Sequence, residues 1–594
     1  MTKTTKRPSG KLLLTIVLAV FGMAALIALI TGQVFLELRI PDYMKEITGL
    51  IQTGGTSADI WQVGGKMLLC ALGSLVSAVI VVLIASRLAA SFASDMRLRV
   101  FRRVMSFSMG EINNFTTASL ITRSTNDITN MQMLIAMGLQ ILIRAPIMAV
   151  WALSKIASAG TTEWTLATGI AIGFIAIIVT FLSTMVIPRF RRIQTLTDNL
   201  NSITRENLTG LRVVRAYNAE GYQEAKFRVA NDKLTENNLF TSRSMALMMP
   251  CMSLVMGGLP LAVYWLGANL IEKAGFLEKI DLLSNMVAFS SYAMQVVMSF
   301  VMLVVIFILL PRVMISIRRV MEVLRTKTAV VDGEGAESAP NAAGTVEFRD
   351  VSFKYPGAED YVLRNISFTA NRGETVAFIG STGSGKSTII NLIPRFYDAT
   401  DGVVLVDGVD VRRYTLHQLR NRLGYIPQRS VLFSGTVSSN VSFGDNGKPS
   451  PDEAQIQRAV KIAQGTEFVE KMTDDYSSSI AQGGTNISGG QKQRLSIARA
   501  VCRDPEIFIF DDSFSALDFK TDKQLRQALE GELSNSTRLI VAQRIGTIRD
   551  ADKIVVLEQG ELVGIGTHKE LMDSCEVYRE IAFSQLSEEE LTNG

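Results

Sequence analysis

Histidine is almost missing: the 594 residues include two, His417 and His568. A multi-histidine metal centre is thereby excluded. Cysteine is scarce as well. Cys70, Cys251, Cys502 and Cys575 show neither metal-ligand spacing nor a paired pattern, and read as free thiols at membrane or cytosol-facing positions. Charge is thin too. Asp, Glu, Lys and Arg make up 20% of the chain, against about 25% in an ordinary soluble protein. With hydrophobic residues at 48%, that deficit excludes disorder and a nucleic-acid-binding tail. The net charge of +4 is too balanced to name an anionic partner. A length prior of ~150 residues per domain allows about four domain-sized units. The composition is that of a membrane protein with a soluble part attached.

What is present falls into two halves. Six apolar runs, near 12–35, 67–90, 134–156, 166–187, 246–270 and 286–310, reach the ~20 residues a bilayer-crossing helix needs. The first is too long for a signal-peptide core and lacks a small-residue cleavage site after it, so it is kept as a spanning helix. Positive residues set the orientation. Lys3, Lys6, Arg7 and Lys11 precede the first run. Arg87, Arg97, Arg99, Arg102 and Arg103 follow the second, and Arg189, Arg191 and Arg192 follow the fourth. The connection 158–164 is short and balanced. Both termini are expected in the cytoplasm. The connections 87–130 and 188–241 are long, free of Pro and Gly clusters, and read as helical arms reaching ~30 Å below the membrane. The stretch 328–341, with Gly333, Gly335, Ala336, Ser338 and Pro340, reads as a linker. From about Gly344 onward, short β-rich runs alternate with helical ones, the pattern of an α/β domain.

The second half carries the sharpest motif. The apolar strand-like run 376–378 leads into Gly380-Ser381-Thr382-Gly383-Ser384-Gly385-Lys386-Ser387-Thr388 and then into a helical run, 389–393. This is G-x-x-x-x-G-K-[ST] in its required strand–loop–helix setting. The glycines let backbone N–H groups close around phosphate oxygens. Lys386 is a point charge for the β- and γ-phosphates, Ser387 offers a hydroxyl to Mg²⁺, and the helix points its positive end at the phosphates. A second apolar strand, 507–510, ends in Asp511-Asp512. That order places a carboxylate at a strand's C-terminal end beside the phosphate loop, where Asp511 can hold Mg²⁺ through water.

Between these two lies Asn486-Ile487-Ser488-Gly489-Gly490-Gln491. Here the whole chain resembles an ABC transporter of the exporter type, with membrane and ATP-binding domains fused. Residues 487–491 match the family signature L-S-G-G-Q, with Ile for Leu. The resemblance implies an α-helical membrane domain with six transmembrane helices and long cytoplasmic arms (1–325), a linker (326–343) and an α/β phosphate-loop ATP-binding domain (344–594). It implies that Tyr355 stacks on adenine and that Gln428 is the Q-loop glutamine, sensing Mg²⁺ and the arms. Ser515-Ala516-Leu517-Asp518 matches the D-loop. Thr209 to Tyr217 looks like the second arm and Thr125-Asn126-Asp127 like the first. It further implies two ATP molecules between paired chains. Each would face the phosphate loop of one chain and Ser488, Gly489, Gly490 and Gln491 of the other.

Two departures from the family matter most. The family has a Glu as general base where this chain has Asp512, one methylene shorter, and a base must come within ~2.6–3.2 Å of its proton or act through one water. The family's γ-phosphate His is Gln543 here, which carries neither proton nor charge, and neither His417 nor His568 can replace it. Ala481-Gln482-Gly483-Gly484 also replaces the family's Gly-Glu-Arg-Gly. The expectation is a heterodimer, as in bacterial heterodimeric multidrug exporters. This chain would hold a degenerate site, and its signature would serve a partner half-transporter that keeps the Glu and His. Drift in an active homodimer, a homodimeric lipid or peptide exporter, and an ATP-gated channel or regulatory subunit are the alternatives. The expected setting is the plasma membrane of a bacterium, with ATP, Mg²⁺ and a hydrophobic or amphipathic substrate, and no nucleic acid.

The substrate pathway is less sharply written. Arg144 is the one charge well inside an apolar run; it marks a functional position, or snorkels to headgroups, or pairs with a buried carbonyl. Tyr264, Asn285, Tyr292 and Gln295 are candidate cavity residues, or ordinary interhelical hydrogen-bonding groups. Met245, Met248, Met249, Met252 and Met256 suit promiscuous apolar binding or core packing. No strong anion site is expected.

Overall fold

The computed structural model describes residues 10–158, 162–337 and 342–585. Lys3, Lys6 and Arg7, residues 159–161 of the short connection, and Ser338 and Pro340 of the linker lie outside the described residues, as do the side chains of Lys11 and Arg191. The chain divides into two compact units. The first comprises Met1–Arg102 and Leu120–Arg325; the second comprises Arg103–Ser119 and Thr326–Gly594.

Among the described residues, six helices are long and apolar enough to cross a bilayer: Gly22–Gln52, Ser57–Met105, Thr117–Ser158, Thr162–Thr209, Glu220–Lys273 and Glu278–Val304. Ser57–Met105 and Thr162–Thr209 have 49 and 48 residues, which is ~72–74 Å at helical rise. A hydrocarbon core spans only ~30 Å, so both run on far beyond it as the long connections. Leu68, Leu69, Val79 and Leu83 lie exposed along one of them, an apolar face that lipid rather than water explains. The buried faces meet around Trp164, Phe289, Tyr292 and Val263. Prolines 41, 146, 188 and 260 sit inside helices; each removes one backbone donor, a loss that membrane helices tolerate where neighbours re-satisfy the freed carbonyl. The short helix Met109–Phe115 marks the turn of the first connection. Thr125-Asn126-Asp127 lies further along the same connection, on its return, where Asp127 is buried and accepts from Ser316 Oγ at 2.7 Å. The second connection turns through Leu211–Ala216.

Among its described residues the second unit contains twelve strands: β1 Val346–Phe353, β2 Leu363–Ala370, β3 Thr375–Gly380, β4 Asp401–Val406, β5 Val409–Asp410, β6 Leu423–Ile426, β7 Gly435–Thr436, β8 Ser479–Ile480, β9 Ile507–Asp511, β10 Thr537–Val541, β11 Lys553–Glu558 and β12 Glu561–Gly566. A four-stranded sheet runs β2-β1-β4-β5, a six-stranded one β12-β11-β3-β10-β9-β6, and β7 pairs β8. In the larger sheet β11, β3, β10, β9 and β6 are parallel. Such strands are covered on both faces and read as unbroken apolar runs; Ile507, Phe508, Ile509 and Phe510 are all fully buried.

That topology places the site. β3, β10, β9 and β6 are successive neighbours with the same direction, so their C-terminal ends share one edge of the sheet. Open α/β sheets bind ligands at that edge. The loops leaving it carry, in order across the sheet, Gly380, Gln543, Asp511-Asp512 and Gln428.

Candidate functional site

The phosphate loop leaves β3 at Gly380, and its backbone needs glycine. Gly380 has φ +155°, and a Cβ there would lie 2.0 Å from the carbonyl of Leu557. Gly385 has φ +96° and is the left-handed N-cap of the helix Lys386–Leu392. A Cβ on Gly385 would meet Leu363 Cδ2 at 2.5 Å. The chain folds back on itself here to aim successive N–H groups into one concavity. Ser381, Thr382 and Gly383 are exposed at its crown, while Ser384 and Thr388 are buried beneath. Lys386 Nζ donates to the carbonyls of Gly380 at 2.8 Å and Ser381 at 2.7 Å. Burial holds its ammonium below the ordinary lysine range, with the Asp512 carboxylate opposing that shift.

Ser387 Oγ donates to Asp511 Oδ1 at 2.8 Å. Burial pushes the Asp511 carboxyl up, the neighbouring Asp512 adding to it. A desolvated carboxylate touching a hydroxyl is an oxygen pair that a cation would relieve. No cluster of three His, Cys, Asp or Glu side chains exists among the described residues. The donor set, one carboxylate and one hydroxyl beside the phosphate loop, fits a hard cation such as Mg²⁺, which keeps waters and takes one or two protein oxygens plus phosphate.

Asp512 follows at φ +47°, a left-handed backbone that Asp tolerates better than most residues. Its Oδ2 accepts from Gln543 Nε2 at 2.8 Å and from Gln428 Nε2 at 3.1 Å. The three residues arrive from the ends of β9, β10 and β6 and close into one network. Burial raises the Asp512 carboxyl, and the two amides counter that.

The remaining nucleotide candidates lie apart from that network. Ser488 is the N-cap of the helix Gly489–Cys502; its Oγ accepts from Gln491 N–H at 3.3 Å while Gln491 Oε1 accepts from Ser488 N–H at 2.9 Å. This capping box fixes the exposed turn, and nothing within 4 Å stands where a Gly489 Cβ would be. Gly490 is closer packed: a Cβ there would stand 3.4 Å from the Ala516 carbonyl oxygen. Asp518 caps the next helix, accepting from Thr521 N–H at 2.9 Å. Tyr355 packs edge-on against Phe353 and Tyr397, with centroids at 5.0 and 5.2 Å, and its hydroxyl pairs with Thr388 Oγ1 at 3.0 Å. Tyr397, which the sequence did not mark, accepts at its hydroxyl from Asn113 Nδ2 at 3.1 Å, so the turn of the first connection touches this aromatic group.

The first unit holds a cavity of about 710 Å³, and it bears on three of the alternatives left open by the sequence. Arg144 lines it, but its partner is neither a headgroup nor a carbonyl. Arg144 Nη2 bonds Glu37 at 3.0 Å (Oε1) and 2.8 Å (Oε2). Gln33 and Ser74 also donate to Glu37 Oε1, at 2.9 and 3.1 Å. Glu37 lies just past the end assigned to the first apolar run, which is why it escaped notice. Second, Gln295 lines the cavity, and its Oε1 lacks a hydrogen-bond partner among the described residues. Tyr264 and Tyr292 do not line it. Tyr292 is buried, its hydroxyl donating to Asp42 Oδ1 and to the Leu38 carbonyl. Tyr264 is 44% exposed elsewhere, and Asn285 is also outside the lining. Third, the lining methionines are Met44, Met67, Met148, Met294, Met298 and Met302, not the group 245–256, of which Met252 is buried core. A π-helical turn, Leu134–Gly138, precedes Gln140 and Arg144, and such turns recur at functional sites.

Comparison with known proteins matches both halves. Residues 22–300 match the ABC transporter transmembrane region and residues 363–515 the ABC transporter family. An uncharacterized ABC transporter ATP-binding protein of Mycobacterium tuberculosis is 37% identical over 558 residues, covering 92% of this chain and 93% of that one. An ATP-dependent lipid A-core flippase of Pseudomonas aeruginosa is 30% identical, covering 80% and 77%. A bacterial Atm1-family ABC exporter, solved with ATP bound, shares the fold with a TM-score of 0.76 at 23% identity, over 96% of this chain and 98% of that one.

Proposed function

The chain belongs to the ABC transporter family and is an ATP-driven exporter with fused membrane and ATP-binding domains, and from that premise we propose that it is the slow-site subunit of a heterodimer. Residues 1–325 form the membrane domain, 326–343 the linker and 344–594 the ATP-binding domain. ATP is held at Gly380–Thr388 with its adenine on Tyr355, and Ser387, Asp511 and Gln428 hold Mg²⁺. The metal supplies charge neutralisation at the β- and γ-phosphates.

The observation that carries this reading is the state of Asp512. A base must have a lone pair within reach of the attacking water. Asp512 is one methylene short, and its Oδ2 already accepts from two neutral amides. Gln543 places an uncharged group where the family has a His. The site is thus equipped to bind ATP and poorly equipped to cleave it. The signature keeps its Ser488-Gly489-Gly490-Gln491, and its exposed turn is available to a second chain. Ser488, Gly489, Gly490 and Gln491 then act on ATP in the partner's competent site, with Asp518 beside them. That partner carries the Glu and His.

The substrate proposed is an amphipathic or hydrophobic compound, a drug or a lipid. A cavity of about 710 Å³ falls within the ~300–1,000 Å³ of small-molecule sites. Six flexible methionines offer an adaptable apolar wall, as in promiscuous binders, while Arg144, Glu37 and Gln295 give it one polar side. The basic segments around Arg97 to Arg103 and Arg189 to Arg192 support cytoplasmic termini in a bacterial plasma membrane. A second reading, a homodimeric lipid exporter, draws on the similarity to the lipid A-core flippase. The two separate in steady-state ATPase of the purified complex. Asp512→Ala is tolerated and Gly489→Asp is not if this is the slow-site subunit, whereas both abolish turnover in a homodimer.

A further inference from the structure

One side chain outside every motif above holds the loop of Gln543 from behind. Gln585 lies just past the C-terminal helix Glu576–Phe583 and uses both ends of its amide on that loop's backbone. Its Nε2 donates to the carbonyl of Gln543 at 2.8 Å, and its Oε1 accepts from the N–H of Ile545 at 2.9 Å. Ile545 opens the helix Ile545–Ile548, whose preceding residue Arg544 makes no side-chain cap. Gln585 therefore supplies, from 40 residues away, the acceptor that a local cap ordinarily provides to a helix's first turn. On the other side, Ala542 N–H donates to the Phe378 carbonyl at 3.2 Å. The backbone of Gln543 is pinned from both directions.

Gln585 is itself firmly based. The C-terminal helix packs on β3 and β11. Its Tyr578 is fully buried and pairs with His568 Nδ1 at 2.7 Å, Ala582 is buried as well, and Gln585 N–H donates to the Ala582 carbonyl at 3.1 Å. One helix thus touches the strand that feeds the phosphate loop and, through Gln585, the loop that carries Gln543.

The geometry points to Gln585 as a positioning residue of the nucleotide site: it fixes the backbone of Gln543, and through it the reach of the Gln543 amide over Asp512, so that it sets how long this site retains ATP. The inference concerns this chain's own site and holds whether that site is slow or competent. Gln585 is exposed, so its loss leaves the core intact.

The test measures release of a fluorescent non-hydrolysable ATP analogue from the full chain in nanodiscs, with Lys386→Ala as the blank. Gln585→Ala is expected to speed release about tenfold, roughly the net worth of one neutral hydrogen bond. Gln585→Glu keeps the acceptor for Ile545 but sets an oxygen against the Gln543 carbonyl, so it should release at least as fast. The discriminating arm is Gln585→Ala placed on Gln543→Ala. If Gln585 acts through Gln543, the second change adds nothing to the release rate; if it merely braces the domain, the two effects multiply. A wild-type release rate in either single Gln585 variant, or multiplied effects in the pair, would overturn the proposal.

Discussion

Restoring the family's two missing groups should turn this chain's site into a working one. The perturbation is Asp512→Glu together with Gln543→His. A Glu carboxylate reaches about 1.5 Å further, one C–C bond, which is the difference between a water held in line and one held off it. His at 543 replaces a neutral donor with a group that can carry charge to the γ-phosphate, and frees Asp512's successor from one of the two amides on Oδ2. A placed general base contributes ~10²–10⁴-fold. Two terms reduce that here. Gln428 still donates to the carboxylate, and Glu adapts less well than Asp to φ +47°, at about 1 kcal/mol. The expected net gain is therefore at the low end, about 10²-fold. The assay is single-turnover phosphate release by the complex whose partner has lost its catalytic Glu, so that only this chain's site can hydrolyse. A change under threefold with ATP fully bound would refute the reasoning. So would brisk hydrolysis at this site before any substitution.

Three further outcomes follow from the geometry. Glu37→Gln should lower the melting temperature in nanodiscs, since it leaves Arg144 without its counter-charge; with the pair's side chains 44% and 19% exposed, about 1–2 kcal/mol is expected, below the 3–5 of a fully buried pair. Arg144→Ala should change substrate preference at normal expression, and unchanged transport of every compound tested would leave the pair a brace only. Asp511, raised by burial, should make Mg²⁺-dependent ATP affinity fall on acidification at pH values above the ordinary Asp range of ~3.9. In the absence of nucleotide the folded chain keeps this proton where the unfolded chain has lost it, so stability falls as pH rises through that interval. Asp511→Asn should flatten the Mg²⁺-dependent affinity profile and reduce the stability slope, Asp512, likewise raised by burial, keeping part of it; an unchanged affinity profile would assign it elsewhere.

How much of this was legible in the sequence depended on sequence distance. The phosphate loop is one unbroken stretch whose glycines, Lys386 and Ser387 must be adjacent, and the spanning helices need only local composition. The cavity is assembled from far apart. Arg144 and Glu37 are separated by 107 positions, and a long apolar helix has no polar face from which to read the direction of Tyr292 or of any methionine. Six Met residues from four spanning helices meet only after packing. Gln543 and Gln585 are 42 apart and Asn113 and Tyr397 284 apart, with no motif spacing to join them. Asp512 was legible as a departure in type; that two amides would converge on one of its oxygens was not, because that requires the strand order β10-β9-β6.

The central claim is that this chain cleaves little ATP itself yet is needed for its partner to do so. The most direct measurement is steady-state phosphate release at saturating Mg-ATP by the complex purified with its partner, comparing Asp512→Ala with Gly489→Asp. Within this chain a side chain at Gly489 meets nothing, so Gly489→Asp should fold and bind ATP. It places a negative charge at a helix N-terminus that, on the proposed arrangement, faces the partner's triphosphate, where fixed dipoles favour the developing phosphate charge. The account predicts that Asp512→Ala keeps most of the activity and that Gly489→Asp abolishes it. A chain that alone forms a dimer with brisk ATPase, lost on Asp512→Ala, would contradict it.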